Sequence, residues 1–341
     1  MLADLGADVV KVEPPGGDPM RKMGVVRDGV SRNWAWVGRH KRSIVLDLSI
    51  DDDHTTDRAT FGRLVGVADV LIENLDERTR ERWQCGYDDL RAVNPRLVVV
   101  TVSGYGTTGP YAGRAGAGTL AEAFGGLTHM IGDPDGPPML PSVALGDTMT
   151  AFGGVIGALA ACWARDAGAG RDEGSHVDVT MYDPILQVMG ATISTYDAGA
   201  GGEPPGRMGS RAHGGVPRNV YRTLDGRWVA VSGTTDAQVA RVLALTGHDS
   251  DEARARYRTS SARLAVADEL DALVADWIAA RDRNDVLAAF VDARVPIAPV
   301  NDVRDLLADP HLANRGDLDR LQSGVAPELN EHHDEVLEDW L

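Results

Sequence analysis

The sequence predicts an α/β fold, with a large domain built on a largely parallel sheet and a smaller α+β domain. Three observations support this prediction. Short apolar stretches of strand type alternate with helical patterns through the first half of the 341 residues. One of these stretches, Leu97–Ser103, is mostly β-branched, which is typical of a strand covered on both faces. A tract rich in glycine and proline, Gly199–Gly215, then separates the two halves.

The elements of the large domain follow from hydrophobic periodicity. Strands are predicted at Asp8–Glu13, Ser43–Leu48, Asp69–Glu73, Leu97–Ser103 and His176–Thr180. Helices are predicted at Thr56–Val67, Arg78–Val93 (interrupted), Thr119–Leu127, Thr148–Arg165 and Asp183–Ala198. At the start, MLADLGA resembles the end of a helix that stops at Gly6, so we expect an upstream strand and half-helix to be missing.

The elements of the smaller domain begin with a hairpin. Its strands, Arg218–Thr223 and Trp228–Ser232, flank an Asp-Gly turn. Later elements are predicted as helices Ala237–Thr246, Ala262–Ala280 and Asn284–Ala293, strand Val295–Val300, helix Val303–Ala308 and a last helix within Glu331–Leu341. The predicted boundaries are 1–198 and 305–341 for the large domain, 199–216 for a linker or lid, and 217–304 for the small domain.

Composition excludes several classes of function. A formal net charge of −17 argues against general nucleic-acid binding and against a polybasic membrane surface, and it favours a protein of the bacterial cytosol. The two cysteines, Cys85 and Cys162, are far apart and fit neither a disulfide framework nor a zinc site. The histidines lack the spacing of metal ligands. No segment is predicted to reach the apolar length of a membrane span, because Asp147 interrupts the best candidate.

The stretch Leu140–Arg165 carries the main candidate for chemistry. A Gly146-Asp147 step precedes a long run of small and apolar residues that predicts a helix buried on most sides. One interpretation makes Asp147 a simple N-cap, with Thr148 as the alternative cap. The other makes Asp147 an ionised nucleophile, stabilised by the free N–H groups at the helix start.

Two further patterns have competing interpretations. Gly116-Ala-Gly118-Thr-Leu-Ala121 fits the dinucleotide fingerprint, but the nearest predicted strand ends near Ser103, so a loop leading into a helix is favoured. Basic residues cluster in Arg39–Arg42 and Arg78–Arg82. In an acidic chain such clusters suit a phosphorylated ligand, although an ordinary solvated surface explains them equally well.

Seven collinear blocks resemble one family. They read LADLGADVVKVEPPGGDPMR, HKRSIVLDL, ADVLIENL, NPRLVVVTVSGYGTTGPY, GTLAEAFGGLTHMIGDPDGPPMLPSVALGD, PRNVYRTLDGRWVAVSG and VPIAPVNDVRDLLADPHLANRG. They are similar to the class III CoA-transferase family (CaiB/BaiF type), which includes formyl-CoA transferases and α-methylacyl-CoA racemase. The resemblance implies a Rossmann-like large domain, a smaller α+β domain and an interlocked homodimer. It also implies coenzyme A as substrate, a carboxylic acid acceptor and no metal.

The same resemblance implies roles for individual residues. Asp147 matches the nucleophile of the transferases. The CoA-binding positions of the family match Leu46, Ser49, Asn74, Leu75, Asp76, Arg82, Ala115, Gly116 and Gly118. Arg82 is the expected phosphate contact. Two positions depart from the family, because some transferases have Lys where Ser49 stands and Arg where Pro14 stands; Lys41 and Arg42 are the candidates to compensate.

Alternative functions follow from the same comparison of residues. Racemases of this family have a histidine near Gly116, and none lies between Arg114 and Glu122, so transfer is favoured over racemisation. A second alternative is an inactive acyl-CoA-binding relative. If the chain is a transferase, the tract Gly199–Gly206 is expected to act as a lid that excludes water, and alanine at Gly201 and Gly202 would raise hydrolysis.

Overall fold

The computed structural model describes residues 1–48, 55–168, 172–196 and 202–341. These residues form two compact units. The first comprises Met1–Thr128, Leu140–Glu203 and Asp319–Leu341, and the second comprises His129–Met139 and Pro204–Leu318. The second unit takes in His129–Met139, a segment that the sequence analysis placed with the large domain.

The strands and helices are numbered in chain order. The strands are β1 (Val10–Glu13), β2 (Val26–Arg27), β3 (Val30–Ser31), β4 (Arg42–Val45), β5 (Val70–Glu73), β6 (Val98–Ser103), β7 (His176–Thr180), β8 (Arg218–Arg222), β9 (Trp228–Ser232) and β10 (Ile297–Pro299). The helices of the first half are α1 (Arg32–Val37), α2 (Thr55–Val67), α3 (Glu77–Trp83), α4 (Tyr87–Val93), α5 (Gly118–Phe124), α6 (Leu127–Met130), α7 (Leu145–Asp166) and α8 (Asp183–Thr195). Those of the second half are α9 (Asp236–Thr246), α10 (Asp251–Arg256), α11 (Ser260–Ala265), α12 (Ala267–Ala279), α13 (Arg283–Asp292), α14 (Val303–Ala308), α15 (Pro310–Arg315), α16 (Asp317–Gln322) and α17 (His333–Trp340).

Parallel strands form the centre of the first unit. One sheet pairs β1 with β4, and another has the order β5-β6-β7, with every pair parallel. Strand β6 is buried on both faces, as its β-branched sequence predicts. Val98 and Val100 pack against Ala158 of α7, whereas Val99 faces the opposite side, among residues near α4. The predicted α/β class is therefore confirmed.

Helix α7 covers one face of the β5-β6-β7 sheet. Its small residues Gly154 and Ala158 are buried there, which lets the helix approach closely. At its end, Arg165 donates hydrogen bonds to the carbonyl of Arg96 (2.9 Å) and to Asp69 (3.0 Å), beside the starts of β6 and β5. Among the described residues, one helix is long enough and apolar enough to cross a membrane, judged by length and composition alone. That helix is α7. The prediction that no segment reaches that length was wrong, because Asp147 lies inside the first turn and does not shorten the helix.

Within the first unit, a buried ion pair holds the C-terminal segment beside β1 and β4. The Glu13 side chain is fully buried and receives two hydrogen bonds from Arg21, at 2.7 and 2.6 Å, and one from Ser43 at 2.7 Å. Arg21 also donates to the carbonyl of Pro327 (2.9 Å), and the Asn330 N–H donates to Ser43 (3.1 Å). Residues near the two ends of the chain therefore share one polar network.

The second unit contains the antiparallel sheet β10-β9-β8 with helices on one face. The predicted hairpin joins β8 and β9, and its turn contains Gly226 with a positive φ of 74°. Tyr221 and Val229 lie in the core with Phe290. Asp271 is buried at the edge of this core and accepts a hydrogen bond from the Tyr221 hydroxyl (2.6 Å).

The predicted elements differ from the structure mainly at their ends. The segment Ala262–Ala280 divides at Val266 into α11 and α12. The β2–β3 hairpin escaped prediction because strands of two residues are too short to show periodicity. Positions 199–201 of the glycine-rich tract lie outside the described residues, and positions 202–208 contain neither helix nor strand.

Candidate active site

Asp147 lies in the first turn of α7, as its third residue. The helix begins at Leu145, and its N-cap residue is Ala144, whose side chain makes no capping hydrogen bond. The N-cap interpretation of Asp147, and that of Thr148, is therefore wrong. The Asp147 side chain is exposed. Because the N-terminus of a helix carries a partial positive charge, this position stabilises a carboxylate that solutes can reach.

Two glycines let another helix approach this carboxylate. Gly118 begins α5, and a Cβ added to it would lie 2.4 Å from Asp147 Oδ2 and 2.8 Å from Asp147 N. A Cβ added to Gly146 would lie 2.6 Å from the Gly118 carbonyl oxygen. Neither separation leaves room for a carbon atom. The starts of α5 and α7 therefore meet backbone to backbone, with the Asp147 carboxylate at the junction.

The N–H groups of this turn have different partners. The Gly146 N–H donates to Oε1 of the buried Glu122 (2.7 Å), and the Thr148 N–H donates to the Ala144 carbonyl (3.1 Å). In the described part of the chain, the Asp147 N–H has no acceptor. It is therefore available to a ligand that reaches Asp147. Sequence reasoning missed Glu122, since a glutamate in the apolar helix GTLAEAF carries no motif.

Aromatic side chains gather next to α5, where β6 and β7 end. Phe124 packs edge-on against Tyr105 and Tyr182, with ring centroids 5.2 and 5.1 Å apart. Tyr111 joins them at 5.9 Å, and the Arg114 guanidinium stacks on its ring at 3.8 Å. Tyr105 and Tyr182 follow the carboxyl ends of parallel strands, which is where α/β proteins commonly bind ligands. The sequence analysis did not identify this cluster.

The predicted CoA-binding residues near β5 lie on the surface or close to it. Asn74 and Asp76 follow the carboxyl end of β5 and are exposed, while Leu75 is half-buried. Asp76 caps α3, accepting the Thr79 N–H at 2.8 Å, and this hydrogen bond is the main cause of its lowered pKa. Arg82 is exposed in the last turn of α3.

The remaining predicted CoA-binding residues have different surroundings. Leu46 directly follows β4 and its side chain is buried in the core, so a ligand could reach its backbone alone. Ser49 lies outside the described residues. Ala115 and Gly116 are exposed, and a Cβ on Gly116 would lie 2.3 Å from the Gly104 Cα. The GxGxxA pattern forms a loop that enters α5, far in sequence from the end of β6, as the sequence analysis favoured.

The two basic clusters differ in the number of free charges. Arg39 pairs with Asp4 (2.9 Å), and Arg42 pairs with Asp8 and Asp339, so these side chains anchor the fold. Arg80 pairs with Glu73 (3.3 Å). Arg78 and Arg82, one turn apart on α3, have no carboxylate partner among the described residues. Arg78 and Arg82 are therefore the arginines of these two clusters that a phosphate could use.

The described residues bring together neither a set of metal ligands nor a pair of cysteines. These residues contain no group of three His, Cys, Asp or Glu side chains that could hold a metal ion. Cys85 and Cys162 are both free thiols. Burial raises the pKa of the Cys85 thiol to about 11. Cys85 is therefore an unreactive core residue at neutral pH.

Comparison with known proteins gives a consistent result. The family model for CoA-transferase family III matches residues 1–333. The chain is 33% identical over 369 residues to the succinyl-CoA–L-malate CoA-transferase beta subunit of Chloroflexus aurantiacus, covering 100% of this chain and 89% of the relative. It is 34% identical to the succinyl-CoA–D-citramalate CoA-transferase of the same organism, covering 92% and 77%. The crystal structure of a CAIB/BAIF family protein from Brucella suis matches with a TM-score of 0.82 and 30% identity, covering 100% and 93%.

Proposed function

Because this chain belongs to CoA-transferase family III and transfers CoA between an acyl-CoA and a carboxylic acid, we propose that Asp147 carries the acyl group during the exchange. The observation that supports this role is the exposed carboxylate at the start of α7, in contact with the Gly118 backbone. A carboxylate is a weak nucleophile, but a thioester is an activated acyl donor. The N-terminus of α7 places a partial positive charge beside this carboxylate.

The exchange proceeds through four acyl transfers. The Asp147 carboxylate attacks the thioester carbonyl, the C–S bond breaks, and a mixed anhydride forms as CoA thiolate leaves. The thiolate attacks the aspartyl carbonyl, which releases the first acid and leaves an aspartyl-CoA thioester. The acceptor carboxylate attacks that thioester and expels the thiolate again. The thiolate then attacks the acceptor acyl carbon, giving the new acyl-CoA and free Asp147.

Each transfer develops negative charge on a carbonyl oxygen, which needs a hydrogen-bond donor. The N–H of Asp147, which has no acceptor within the described residues, is the donor that we assign to this oxygen. Glycine at position 118 lets the start of α5 pack directly against Asp147, because a side chain there would overlap the carboxylate. The lid predicted at Gly199–Gly206 lies partly outside the described residues, at positions 199–201, and stays a prediction.

We place coenzyme A along the carboxyl ends of β4 and β5 and the loop before α5. The residues proposed to bind it are Leu46 (by its backbone), Ser49, Asn74, Leu75, Asp76, Arg82, Ala115, Gly116 and Gly118. Arg82 contacts a phosphate, and Arg78 on the same face of α3 adds a second positive charge. Arg42 does not compensate for the Pro14 and Ser49 departures, because its guanidinium is held by Asp8 and Asp339.

The two Chloroflexus relatives are named for succinyl-CoA and for the dicarboxylic acids L-malate and D-citramalate. We propose that this chain also takes succinyl-CoA as donor and a dicarboxylic acid as acceptor. The protein is incubated with succinyl-CoA alone, and the peptide that contains Asp147 is analysed by mass spectrometry after hydroxylamine trapping. A hydroxamate at Asp147 is expected, and Asp147→Asn should lose both the adduct and transfer to L-malate.

A matched control separates Asp147 from carboxylates in general. Asp183 is also exposed in the first turn of a helix of the same unit, α8, so Asp183→Asn should retain transfer. Full transfer by Asp147→Asn would refute the proposed role. Uptake of deuterium at the α-carbon without an acceptor acid would instead indicate the racemase reaction.

The homodimer and cytoplasmic location belong to the same proposal. Helix α7 exposes a stripe of large apolar side chains, each at least half exposed: Phe152, Ile156, Leu159 and Trp163. A stripe of this kind on one face of a helix is unusual for a monomer, and a second copy that covers it would bury the stripe. Light scattering should show Ile156→Asp as a monomer, while Val325→Asp, at an unrelated exposed position, should leave the dimer intact. A monomeric parent protein would refute the dimer.

A further inference from the structure

We propose that Glu122 is a positioning residue for Asp147, an inference that rests on the proposed role of Asp147. Glu122 lies on α5 and is 2% exposed. Its Oε1 accepts the N–H of Gly146, the residue directly before Asp147, at 2.7 Å. Because the side chain is buried, it acts on the reaction through the turn that it holds rather than by touching the substrate.

The electrostatics of Glu122 are unusual for a buried carboxylate. In the part of the chain that the structure describes, no cation forms an ion pair with Glu122. Its side chain accepts a hydrogen bond from the Gly146 N–H. A buried carboxylate normally needs a paired charge or several donors. Here the N-terminus of the 22-residue α7 supplies the compensating positive potential. The first turn of α7 therefore faces the Glu122 side chain with both an N–H donor and a partial positive charge.

Helix α5 holds the Asp147 turn at two points. Gly118 and Glu122 are four residues apart, so they lie on the same face of α5. Gly118 contacts the Asp147 carboxylate and N–H, while Glu122 holds the preceding peptide. The Gly146 carbonyl is also fixed, because it accepts the Thr150 hydroxyl at 2.7 Å. Both hydrogen-bonding groups of Gly146 are thus used, whereas the Asp147 N–H has no acceptor in the described part of the chain and is open to a substrate.

This arrangement predicts what loss of the acceptor does. Without Glu122 the Gly146 N–H becomes an open donor beside the reacting carboxylate, and the first turn of α7 is free to shift. A misplacement of about 1 Å at a reacting group costs on the order of 100-fold in rate. Binding of acyl-CoA at residues outside this turn does not depend on Glu122. The rate constant for acylation should therefore fall while the affinity for acyl-CoA is kept.

The test compares two variants of nearly equal side-chain size. Glu122→Met removes the acceptor, whereas Glu122→Gln keeps an oxygen that can accept the Gly146 N–H. We expect kcat for transfer from succinyl-CoA to L-malate to fall on the order of 10–100-fold in Glu122→Met. KM for succinyl-CoA should change less than twofold. Glu122→Gln should recover kcat to within about threefold of the parent, because the hydrogen bond is restored.

A control accounts for general destabilisation. Asn94 donates to the carbonyls of Val65 (2.9 Å) and Ala68 (3.0 Å) in the same unit, next to the start of β6. Asn94→Leu should lower the melting temperature and leave kcat at the parent value. Acylation is measured in a single turnover by hydroxylamine trapping at a temperature where circular dichroism shows every variant folded.

Distinct results would overturn distinct statements. Parent-level kcat in Glu122→Met would refute the positioning role, even if Asp147→Asn were inactive. Equal losses in Glu122→Met and Glu122→Gln would also refute it, because the acceptor would not be the feature that matters. Equal losses in Glu122→Met and Asn94→Leu would assign the effect to stability. Transfer by Asp147→Asn would instead refute the proposed function itself.

Discussion

Replacement of Gly118 by alanine tests the close approach of α5 to Asp147. The new Cβ would lie 2.4 Å from Asp147 Oδ2, 2.7 Å from its Cγ and 2.8 Å from its backbone nitrogen. The carboxylate oxygen can rotate away, but the backbone nitrogen belongs to the first turn of α7 and cannot. Relief of the overlap therefore has to displace the carboxylate, the turn, or both.

The size of the displacement follows from contact distances. Ordinary van der Waals contacts of a Cβ begin near 3.4 Å, so the Asp147 oxygen has to move by about 1 Å. A shift of that size at a reacting group costs on the order of 100-fold in rate, or about 2.7 kcal/mol of activation free energy. The overlap should also lower the free energy of unfolding by about 1–3 kcal/mol, of which the better helix propensity of alanine offsets about 0.5–1 kcal/mol.

Steady-state transfer from succinyl-CoA to L-malate measures the effect, with thermal unfolding followed in parallel. We expect Gly118→Ala to lose roughly 100-fold in kcat and to melt within a few degrees of the parent. Gly66→Ala is the matched control, since Gly66 lies in α2 and an added Cβ there meets no atom within 4 Å. Parent-level kcat in Gly118→Ala would show that the approach of α5 is not needed for the reaction.

Three further predictions concern the fold. Burial alone would raise the pKa of Glu13, but hydrogen bonds from Arg21, Ser43 and the Asp18 N–H lower that pKa below 4.5. The ion pair therefore stabilises the fold at neutral pH. This contribution is lost as the pH falls through the pKa of Glu13 in the folded protein. Glu13→Gln should cost about 3 kcal/mol in urea unfolding at pH 7; a cost that did not shrink toward pH 3 would contradict this reasoning. Tyr221→Phe should cost about 1–3 kcal/mol, because the buried Asp271 loses a 2.6 Å hydrogen bond; an unchanged urea midpoint would argue against that bond. At pH 8 iodoacetamide should leave Cys85 unmodified in the folded protein and alkylate it in urea, as mass spectrometry can show, because burial raises its pKa to about 11; rapid labelling of the folded protein would contradict its burial.

Local patterns predicted most elements because their signals lie within a few residues. The β-branched run of β6, the Asp-Gly turn of the hairpin and the 3.6-residue periodicity of α9 needed no distant partner. The start of α7 was placed three residues too late, because Leu145-Gly146 carries no capping signal and Asp147 resembles a cap. The prediction that no segment reaches the length of a membrane span was wrong for the same reason, because Asp147 does not end the apolar run.

The basic clusters show where composition cannot decide. Arg39–Arg42 and Arg78–Arg82 have similar sequences, and the chain is acidic throughout. Their difference comes from the carboxylates that folding brings near, namely Asp4, Asp8 and Asp339 for the first cluster. Asp339 is separated by almost 300 residues from Arg42. The residues around Arg42 in the sequence therefore cannot show that Asp339 will be its partner.

The sequence by itself determined the α/β class and the order of most elements, because these depend on residue type and short-range periodicity, whereas the choice of Asp147 as nucleophile came from the resemblance to the CoA-transferase family. The tertiary structure decided how that carboxylate is held: Gly118 against Asp147, and Glu122 on the N–H of Gly146. These contacts join residues more than 20 positions apart. The two helix starts meet there through the backbones of glycine residues, and glycine has no side chain from which a sequence pattern could predict the contact. Such a junction is set by the packing of α5 and α7, so it became visible when both helices were placed in three dimensions.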